Sequence, residues 1–124
     1  MKTDFSPKFT SRTMVQIPDI PAYLVVSVSD IDFRGGEVEF QLLRSVIPDT
    51  NIVVNDAKEK LLNGCDVDIF SLGNSGEKLD RIRLKNCKYI TQRLRLYSQN
   101  NDESLSKLSL IMNYDSVEYE SYTS

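Results

Sequence analysis

Three pairs of carboxylates have the residue types and the spacing that could bind a hard cation. The two members of each pair lie two residues apart in β-rich segments, so their side chains point to the same face of a strand. The pairs are Asp30 with Asp32, Glu37 with Glu39, and Asp66 with Asp68. No loop of alternating oxygen ligands accompanies them, and a solvated strand face is the simpler interpretation. We therefore predict no metal site.

The absence of histidine limits nucleophilic and acid–base chemistry. None of the 124 residues is a histidine, so the chain lacks the commonest general base and cannot activate a nucleophile through a Ser-His or Cys-His pair. The glycine-containing segments 35–36 and 73–76 lie between predicted strands and do not open a helix, so they indicate hairpin turns and not phosphate-binding loops. We predict that the protein is not an enzyme and holds no cofactor.

The chain contains two cysteines, Cys65 and Cys87. The first eight residues lack the apolar core of a signal peptide, and the longest apolar run, residues 22–26, is far shorter than the roughly 20 residues of a membrane helix. We therefore expect a protein of the reducing cytoplasm, without a membrane span, in which both cysteines are buried apolar side chains. A disulfide between them is the alternative, because both lie in segments that could be neighbouring strands.

Charge is distributed unevenly along the chain. The full sequence has 15 Lys and Arg against 18 Asp and Glu, a net charge of −3. Residues 78–95 nevertheless contain seven cations, opposed only by Asp80. The cations alternate with apolar residues, so we expect them to project as one patch from the outer faces of adjacent segments. Acidic residues concentrate in the first predicted hairpin and near the C-terminus.

Separated positive and negative faces favour association between copies of a chain, because complementary potentials steer association and fix its register. We predict an assembly or ligand surface built from Arg34, Glu37, Glu39, Arg81, Arg83, Lys85, Arg93 and Arg95. Two alternatives remain open. The charges could form a solubilising surface, or the basic strip 78–95 could bind a single-stranded nucleic acid, with Tyr89 and Tyr97 as stacking platforms.

The elements that must position these charges belong to one small domain. Residues 1–21 are polar, contain three of the four prolines and show no sustained period, so they predict an N-terminal arm outside the core. Residues 22–124 predict a single domain with about six strands. The predicted strands are residues 23–33, 37–42, 66–72, 79–84, 87–96 and 108–114.

Turn and helix signals define how these strands are connected. The first and second strands, and the third and fourth, are expected to form hairpins. Val26 and Val28 should share one face of the first strand, together with Leu24, and a change in alternation predicts a bulge at residues 85–86. One short helix should begin near Asn55 or Asp56 and end just before Gly64. The predicted fold is mainly β, a small antiparallel β-sandwich or half-open barrel with one short α-helix.

Four short motifs occur in order in the C-terminal two thirds of the chain. They are Asp66-Val67-Asp68-Ile69 with Leu72 and Gly76, Leu84-Lys85-Asn86-Cys87, Leu96-Tyr97-Ser98, and Leu108-Ser109-Leu110 with Tyr114-Asp115. The segment from Glu37 to Tyr119 that contains them resembles the tail-tube protein family of contractile phage tails. This family includes the tubes of related injection systems and the hemolysin-coregulated tube protein of type VI secretion.

The resemblance implies a non-enzymatic structural subunit of a phage tail tube or baseplate, or of a related contractile injection system. Such a subunit joins copies of itself edge to edge into rings, hexameric in this family, around a channel that passes DNA or an effector without specific binding. Its other partners would be tail or baseplate proteins, and it would be found in the virion tail after assembly in the bacterial cytoplasm. The chain is shorter than typical tube proteins and lacks tryptophan, so tube, tube-end and baseplate positions remain open. The alternative function is a stand-alone β-sandwich adaptor or single-stranded nucleic-acid-binding module that uses the basic strip.

Overall fold

The computed structural model describes residues 12–45, 49–95 and 107–122. These residues form seven strands and one α-helix, together with a short 3-10 turn at Ala22–Leu24. The strands are β1 (Thr13–Gln16), β2 (Val25–Val28), β3 (Gly36–Leu43), β4 (Cys65–Leu72), β5 (Lys78–Arg95), β6 (Lys107–Tyr114) and β7 (Ser116–Ser121), and the helix α1 spans Thr50–Asn63. Within the described ranges, no helix is long and apolar enough to cross a membrane.

Strand β5 is long enough to pair with two groups of strands. Its first part, residues 78–87, pairs with β4 on one side and with β7 on the other. Its second part, residues 88–95, pairs with β6, and the sheet continues through β3 to β2. We refer to β1, β4, β7 and residues 78–87 as the β4 half, and to β2, β3, β6 and residues 88–95 as the β3 half. All pairings in both halves are antiparallel.

Both halves contribute side chains to one core. Apolar residues alternate with polar residues along β3 and β4, so that one face of each strand is buried. The helix packs its buried side chains into the same cluster. Core members include Val38, Phe40, Leu42, Val54, Ala57, Leu61, Val67, Leu84, Leu108, Leu110, Met112 and Tyr114. The prediction of a mainly β, antiparallel fold with a single helix is confirmed, in the form of one open seven-stranded sheet.

The bulge predicted at residues 85–86 is confirmed. Cys65 pairs with Cys87, whereas Val67 pairs with Leu84, so β5 has one more residue than β4 between these two pairs. Asn86 adopts a positive φ of 55°, a conformation that asparagine tolerates better than most residues. A bulge bends its strand and increases the local twist. This one lies where β5 passes from the β4 half to the β3 half.

The helix begins earlier than predicted. Asp49 is its N-cap, and the carboxylate accepts a hydrogen bond of 2.9 Å from the backbone of the first turn. The buried Thr50 hydroxyl donates to the Leu43 carbonyl (2.8 Å) and accepts from the Ser45 N–H (2.7 Å). Aspartate and threonine here indicate a turn in the sequence, but the same side chains also cap helices. The predicted end is confirmed, because Gly64 is the C-cap.

The predicted arm is wrong for the part of it that the structure describes. Residues 13–16 form β1, which pairs with β4. Val15, Ile17 and Ile20 are buried in the core. A four-residue edge strand is too short to produce a visible alternation, and its pairing with β4 is what makes it a strand. Residues 1–11 lie outside the described ranges.

The first predicted strand is shorter than expected. Within residues 23–33, only Val25–Val28 form a strand, which pairs with β3 as the first hairpin predicts. The register shifts between Val25 and Ser27, and Val26 is 45% exposed. It therefore does not share a face with the buried Leu24 and with Val28, which packs against the core. A local irregularity in an edge strand thus reverses the orientation that strict alternation predicts.

Strand β7 has no counterpart among the predicted strands. Its six residues are mostly polar and mostly exposed, because it packs only one edge against β5. The second predicted hairpin is confirmed by the pairing of β4 with β5, and the fourth and fifth predicted strands form the single strand β5. The predicted strand end and turn at residues 96–102 lie outside the described ranges.

Candidate assembly surface

The predicted surface residues do not form one patch. They divide among the outward face of the β4 half, the outward face of the β3 half, and the loop before β3. The first group is Arg81, Arg83 and Lys85; the second is Glu37, Glu39 and Arg93; and Arg34 lies in the loop, while Arg95 ends β5. The continuous basic patch expected along residues 78–95 is therefore wrong. Strand β5 passes from one half to the other, and acidic strands flank its first part on both sides.

Arg83 is paired with Asp68 across β5 and β4. The two residues are direct partners in register. Arg83 Nε donates to Asp68 Oδ1 at 2.7 Å, and Nη2 donates to Oδ2 at 3.0 Å. Such parallel, charge-assisted bonds are among the stronger ones in proteins. The hydrogen bonds to Asp68 and its negative charge raise the pKa of Arg83. This cation is therefore already satisfied within the chain.

Arg81 and Lys85 are paired with acids on the neighbouring strands. Arg81 Nη2 lies 3.3 Å from Glu120 Oε1 on β7. Lys85 Nζ lies 3.2 Å from Asp66 Oδ2 on β4 and 3.8 Å from Glu118 Oε2 on β7. Burial opposes the ionisation of Asp66, but a backbone N–H and the Lys85 ammonium outweigh it and hold the pKa of Asp66 below its usual value. We call these pairs the charge ladder, formed by Asp66, Asp68, Arg81, Arg83, Lys85, Glu118 and Glu120.

Sequence reasoning missed the β7 members of the charge ladder. In β7, Glu118 and Glu120 alternate with Val117 and Tyr119, the same period as the cations of β5. Opposite charges in directly opposed positions stabilise strand pairing, and the register places Glu118 opposite Arg83. The sequence contains a signal for this pairing, because acids occur at every second position of residues 118–120 and cations at every second position of residues 81–85.

The outward face of the β3 half keeps its opposite charges apart. Glu37 and Glu39 lie on β3, and Arg93 lies on β5, with β6 between them. Two strand spacings amount to about 10 Å. Among the described residues, no ion pair includes any of these three side chains. They line a surface cavity of about 260 Å³ together with Ser29, Val38 and Ile111.

Among the described residues, the β3 half also has two strand edges without a partner strand. Strand β2 pairs with β3 on one side only, and residues 88–95 pair with β6 on one side only, as far as the described residues show. An unpaired edge presents backbone N–H and C=O groups that can add a further strand. The two edges lie at opposite ends of the same group of strands, so they do not compete for one partner.

Arg34 is paired within its own loop. Its backbone N–H and Nε donate to Asp32 Oδ1, and Nη2 lies 3.1 Å from Asp32 Oδ2. These bonds hold the pKa of Asp32 below its usual value. The Tyr114 hydroxyl anchors the loop, because it accepts from the Asp32 N–H and donates to the Asp32 carbonyl. The Arg34 side chain remains 90% exposed, so a partner could still reach it.

The carboxylate pairs considered as cation sites have other partners or stand alone. Asp32, Asp66 and Asp68 are engaged by cations of this chain. Within the part of the chain that the structure describes, no cluster of three or more acidic or cysteine side chains could hold a metal ion. The geometry therefore assigns Asp32, Asp66 and Asp68 to ion pairs and places Glu37 and Glu39 on the surface of β3.

The chain matches known proteins through its structure and not through its sequence. No protein-family model and no curated protein sequence match it. A chain of the sheath–tube complex of PVC, an extracellular contractile injection system, superposes with a TM-score of 0.68 at 14% identity, covering 97% of this chain and 99% of that chain. The tube-terminating cap of the anti-feeding prophage gives 0.64 at 17% identity, covering 90% and 89%. Hcp1 from Flavobacterium johnsoniae gives 0.62 at 11% identity, covering 87% and 94%.

The chain has a tail-tube-like fold. The resemblance stated from the strand motifs is thereby confirmed at the level of the fold. The superpositions cover most of both chains in each case, so the tail-tube-like fold accounts for the molecule nearly from end to end. At these identities, the likeness concerns the fold alone.

Proposed function

We propose that this protein is a non-enzymatic structural subunit of a contractile injection apparatus, either a phage tail or a related system. The observation that carries the proposal is its near-complete superposition on a chain of the PVC sheath–tube complex. A subunit of this kind would be located in the tail of the particle, after assembly in the bacterial cytoplasm. Its partners would be other copies and other tail or baseplate proteins. The likeness to a tube-terminating cap keeps both tube and tube-end positions compatible with the fold.

The free edges of the β3 half support ring formation. Strand β2 of one copy can pair with residues 88–95 of the next copy, and repetition of this heterologous contact closes a ring when the rotation permits. In such a contact, Glu37 and Glu39 of one copy lie two strands from Arg93 of its neighbour. This separation equals the one within a single chain, so the acids of β3 would have an Arg93 two strands away on either side. Six copies, as in the tail-tube family, would surround a channel that passes DNA or an effector.

Charge reversal at the two edges tests this proposal. The full chain, examined by sedimentation and negative-stain electron microscopy, should form rings at high concentration. The double variant Lys88→Glu with Arg93→Glu changes two exposed positions on the β5 edge. It should remain monomeric, because acids would then lie two strands from Glu37 and Glu39 both within the chain and across the contact. Adding Glu37→Lys and Glu39→Lys to the same chain should restore the rings with the charges exchanged.

A matched control reverses charge on the exposed face of α1, with Asp56→Lys and Glu59→Lys. This variant should assemble like the unmodified chain. A chain that stays monomeric at high concentration, forms no rings and does not assemble when tail proteins are added would contradict the proposal. If the charge-reversed variant still forms rings, the proposed contact between β2 and residues 88–95 is wrong, but the proposed function as a structural subunit stands.

The alternative, a stand-alone adaptor or a single-stranded nucleic-acid-binding module, has less support. Three cations of the strip 78–95 belong to the charge ladder, and the half-buried Tyr89 donates its hydroxyl to Gln92 at 2.7 Å. Tyr97 lies outside the described ranges. Micromolar binding of a labelled single strand, weakened by salt and by charge reversal at Arg83 and Arg95, would favour this alternative.

A further inference from the structure

Cys65 and Cys87 face each other across β4 and β5. They are direct partners in register, and both thiols are free. Cys87 is fully buried, and Cys65 is partly buried against the same core. Directly opposed residues of antiparallel strands have Cα atoms about 4.5 or 5.5 Å apart and side chains on the same face. Both spacings lie within the range of about 4.4–6.8 Å that a disulfide requires.

The backbone around this pair is irregular on both strands. Opposed Cβ atoms are typically about 4.5–5.5 Å apart, whereas a disulfide needs roughly 3.5–4.5 Å, so the strands must approach by about 1 Å. Cys65 is the first residue of β4 and follows Gly64, which has a φ of 99°. Cys87 follows the bulge residue Asn86. The two strands must therefore move closer at the end of β4 and beside the bulge of β5, where the regular backbone hydrogen bonding between them is already interrupted.

We infer that this pair is an oxidation site, at which a low-molecular-weight disulfide such as oxidised glutathione converts the two thiols into an intrachain cross-strand disulfide. Cys65, the more exposed thiol, loses its proton to solvent, and its sulfur attacks the small disulfide and expels one thiolate. Cys87 then loses its proton and attacks the Cys65 sulfur of the mixed disulfide, which expels the second thiolate. The protein loses two electrons and two protons, and the small disulfide becomes two thiols.

The surroundings of the pair make this reaction slow and dependent on alkaline pH. Burial, together with the nearby Cys65, raises the pKa of the Cys87 thiol to about 12, and burial also raises the pKa of Cys65. The Cys87 thiol further donates to the Leu84 carbonyl at 3.4 Å. Since the thiolate is the attacking species, the rate rises with pH. The geometry of the two thiols permits this reaction whether or not the chain is a subunit of an injection apparatus.

Mass spectrometry of the full chain tests the oxidation site. After incubation with oxidised glutathione at about pH 8.5, followed by alkylation in denaturant, the protein should have lost two hydrogens, carry no alkyl group and remain monomeric. Its Tm should rise by at least roughly 5 °C and return to the original value with reductant. A protein that stops at the mixed disulfide, forms intermolecular dimers or retains both thiols while the unfolded chain oxidises would overturn the inference.

Two single variants define the order of steps. Cys87→Ala should accumulate a glutathione mixed disulfide on Cys65, because the second thiol is missing. Cys65→Ser, at the partly exposed position, should fold and leave Cys87 unmodified. Glutathione attached to Cys87 in Cys65→Ser would contradict initial attack by Cys65.

Discussion

The two halves of the sheet present their charges to solvent in opposite ways. In the β4 half, each cation of the charge ladder lies beside a strand that carries carboxylates, and every ladder cation has a partner within 3.3 Å. In the β3 half, the acids of β3 and Arg93 of β5 are separated by β6, which places the uncharged Ser109, Ile111 and Asn113 between them. The cations in the first part of β5 thus form ion pairs within the chain, whereas Arg93 in its second part has no ion pair among the described residues. Position relative to neighbouring strands, and not the number of cations, decides which charges can bind a partner.

The largest expected effect comes from breaking the core that the two halves share. Leu84 is fully buried on β5, so Leu84→Ala should lower the free energy of unfolding by about 2–5 kcal/mol. Urea unfolding should give one transition that coincides by circular dichroism and tyrosine fluorescence, since both halves pack on one core. The control Ile90→Ala, at a residue 41% exposed, should have a much smaller effect. Two separate transitions would indicate that the halves are independent.

Breaking the charge ladder should have the next largest effect. Arg83→Gln removes the bidentate partner of Asp68, whose carboxylate is partly buried, and should lower Tm by roughly 2–5 °C. Exchanging the two residues, with Asp68→Arg and Arg83→Asp, should recover most of this loss because they are direct partners in register. If the exchange variant is no more stable than Arg83→Gln, the pair contributes through packing and not through charge.

Acid should weaken the β4 half through Asp66. The pKa of Asp66 lies below its ordinary value of 3.8 in the folded chain, so its contribution is present above about pH 4 and is lost as pH falls through the lowered pKa. Asp66→Asn should therefore show a smaller fall in Tm between about pH 7 and pH 3 than the unmodified chain. An equal fall in both proteins would assign acid sensitivity to other groups.

Neutral substitutions in the β3 half should leave stability almost unchanged. Glu39→Gln and Arg93→Gln remove charges that have no ion pair among the described residues, so the change in unfolding free energy should stay within about 0.5 kcal/mol. The same variants should weaken self-association measured by sedimentation. If Glu39→Gln or Arg93→Gln destabilises the protein as much as Arg83→Gln does, the charges of the two halves do not differ in their contribution to stability.

The smallest effect is expected in the loop before β3. Arg34→Ala removes an exposed pair with Asp32, and exposed pairs contribute little to stability. Its Tm should match that of the unmodified chain. The matched variant Tyr114→Phe removes the hydroxyl that anchors the same loop and should lower Tm measurably.

Sequence predicts correctly those parts of the fold in which apolar and polar residues alternate over a long segment, or in which a glycine ends a helix. Val38, Phe40 and Leu42 alternate with polar residues over the length of β3, and Gly64 ends the helix as predicted. The bulge at residues 85–86 also follows, because one extra residue reverses the alternation. In these segments, local periodicity and burial agree.

The edge strands and the charge pairing could not be obtained in the same way. β1 has four residues and β7 is almost entirely polar, so neither produces a pattern that burial alone would require. Both are strands because a neighbour offers backbone partners, which is a tertiary effect. The cations of residues 78–95 resemble a free patch for a related reason, since Glu118 and Glu120, which pair with them, lie on β7, far away in sequence.

The position of β5 between the two halves has a consequence for the time course of folding. Up to residue 77, the growing chain can pair β1 with β4 and β2 with β3, but β4 and β3 are not neighbours in the sheet. These two pieces can join only when β5 and β6 have been synthesised, so folding depends on contacts that form late and over long sequence separation. The edge at residues 88–95 also emerges late from the ribosome. A nascent chain therefore cannot offer that edge to another copy until most of its own sheet has partners.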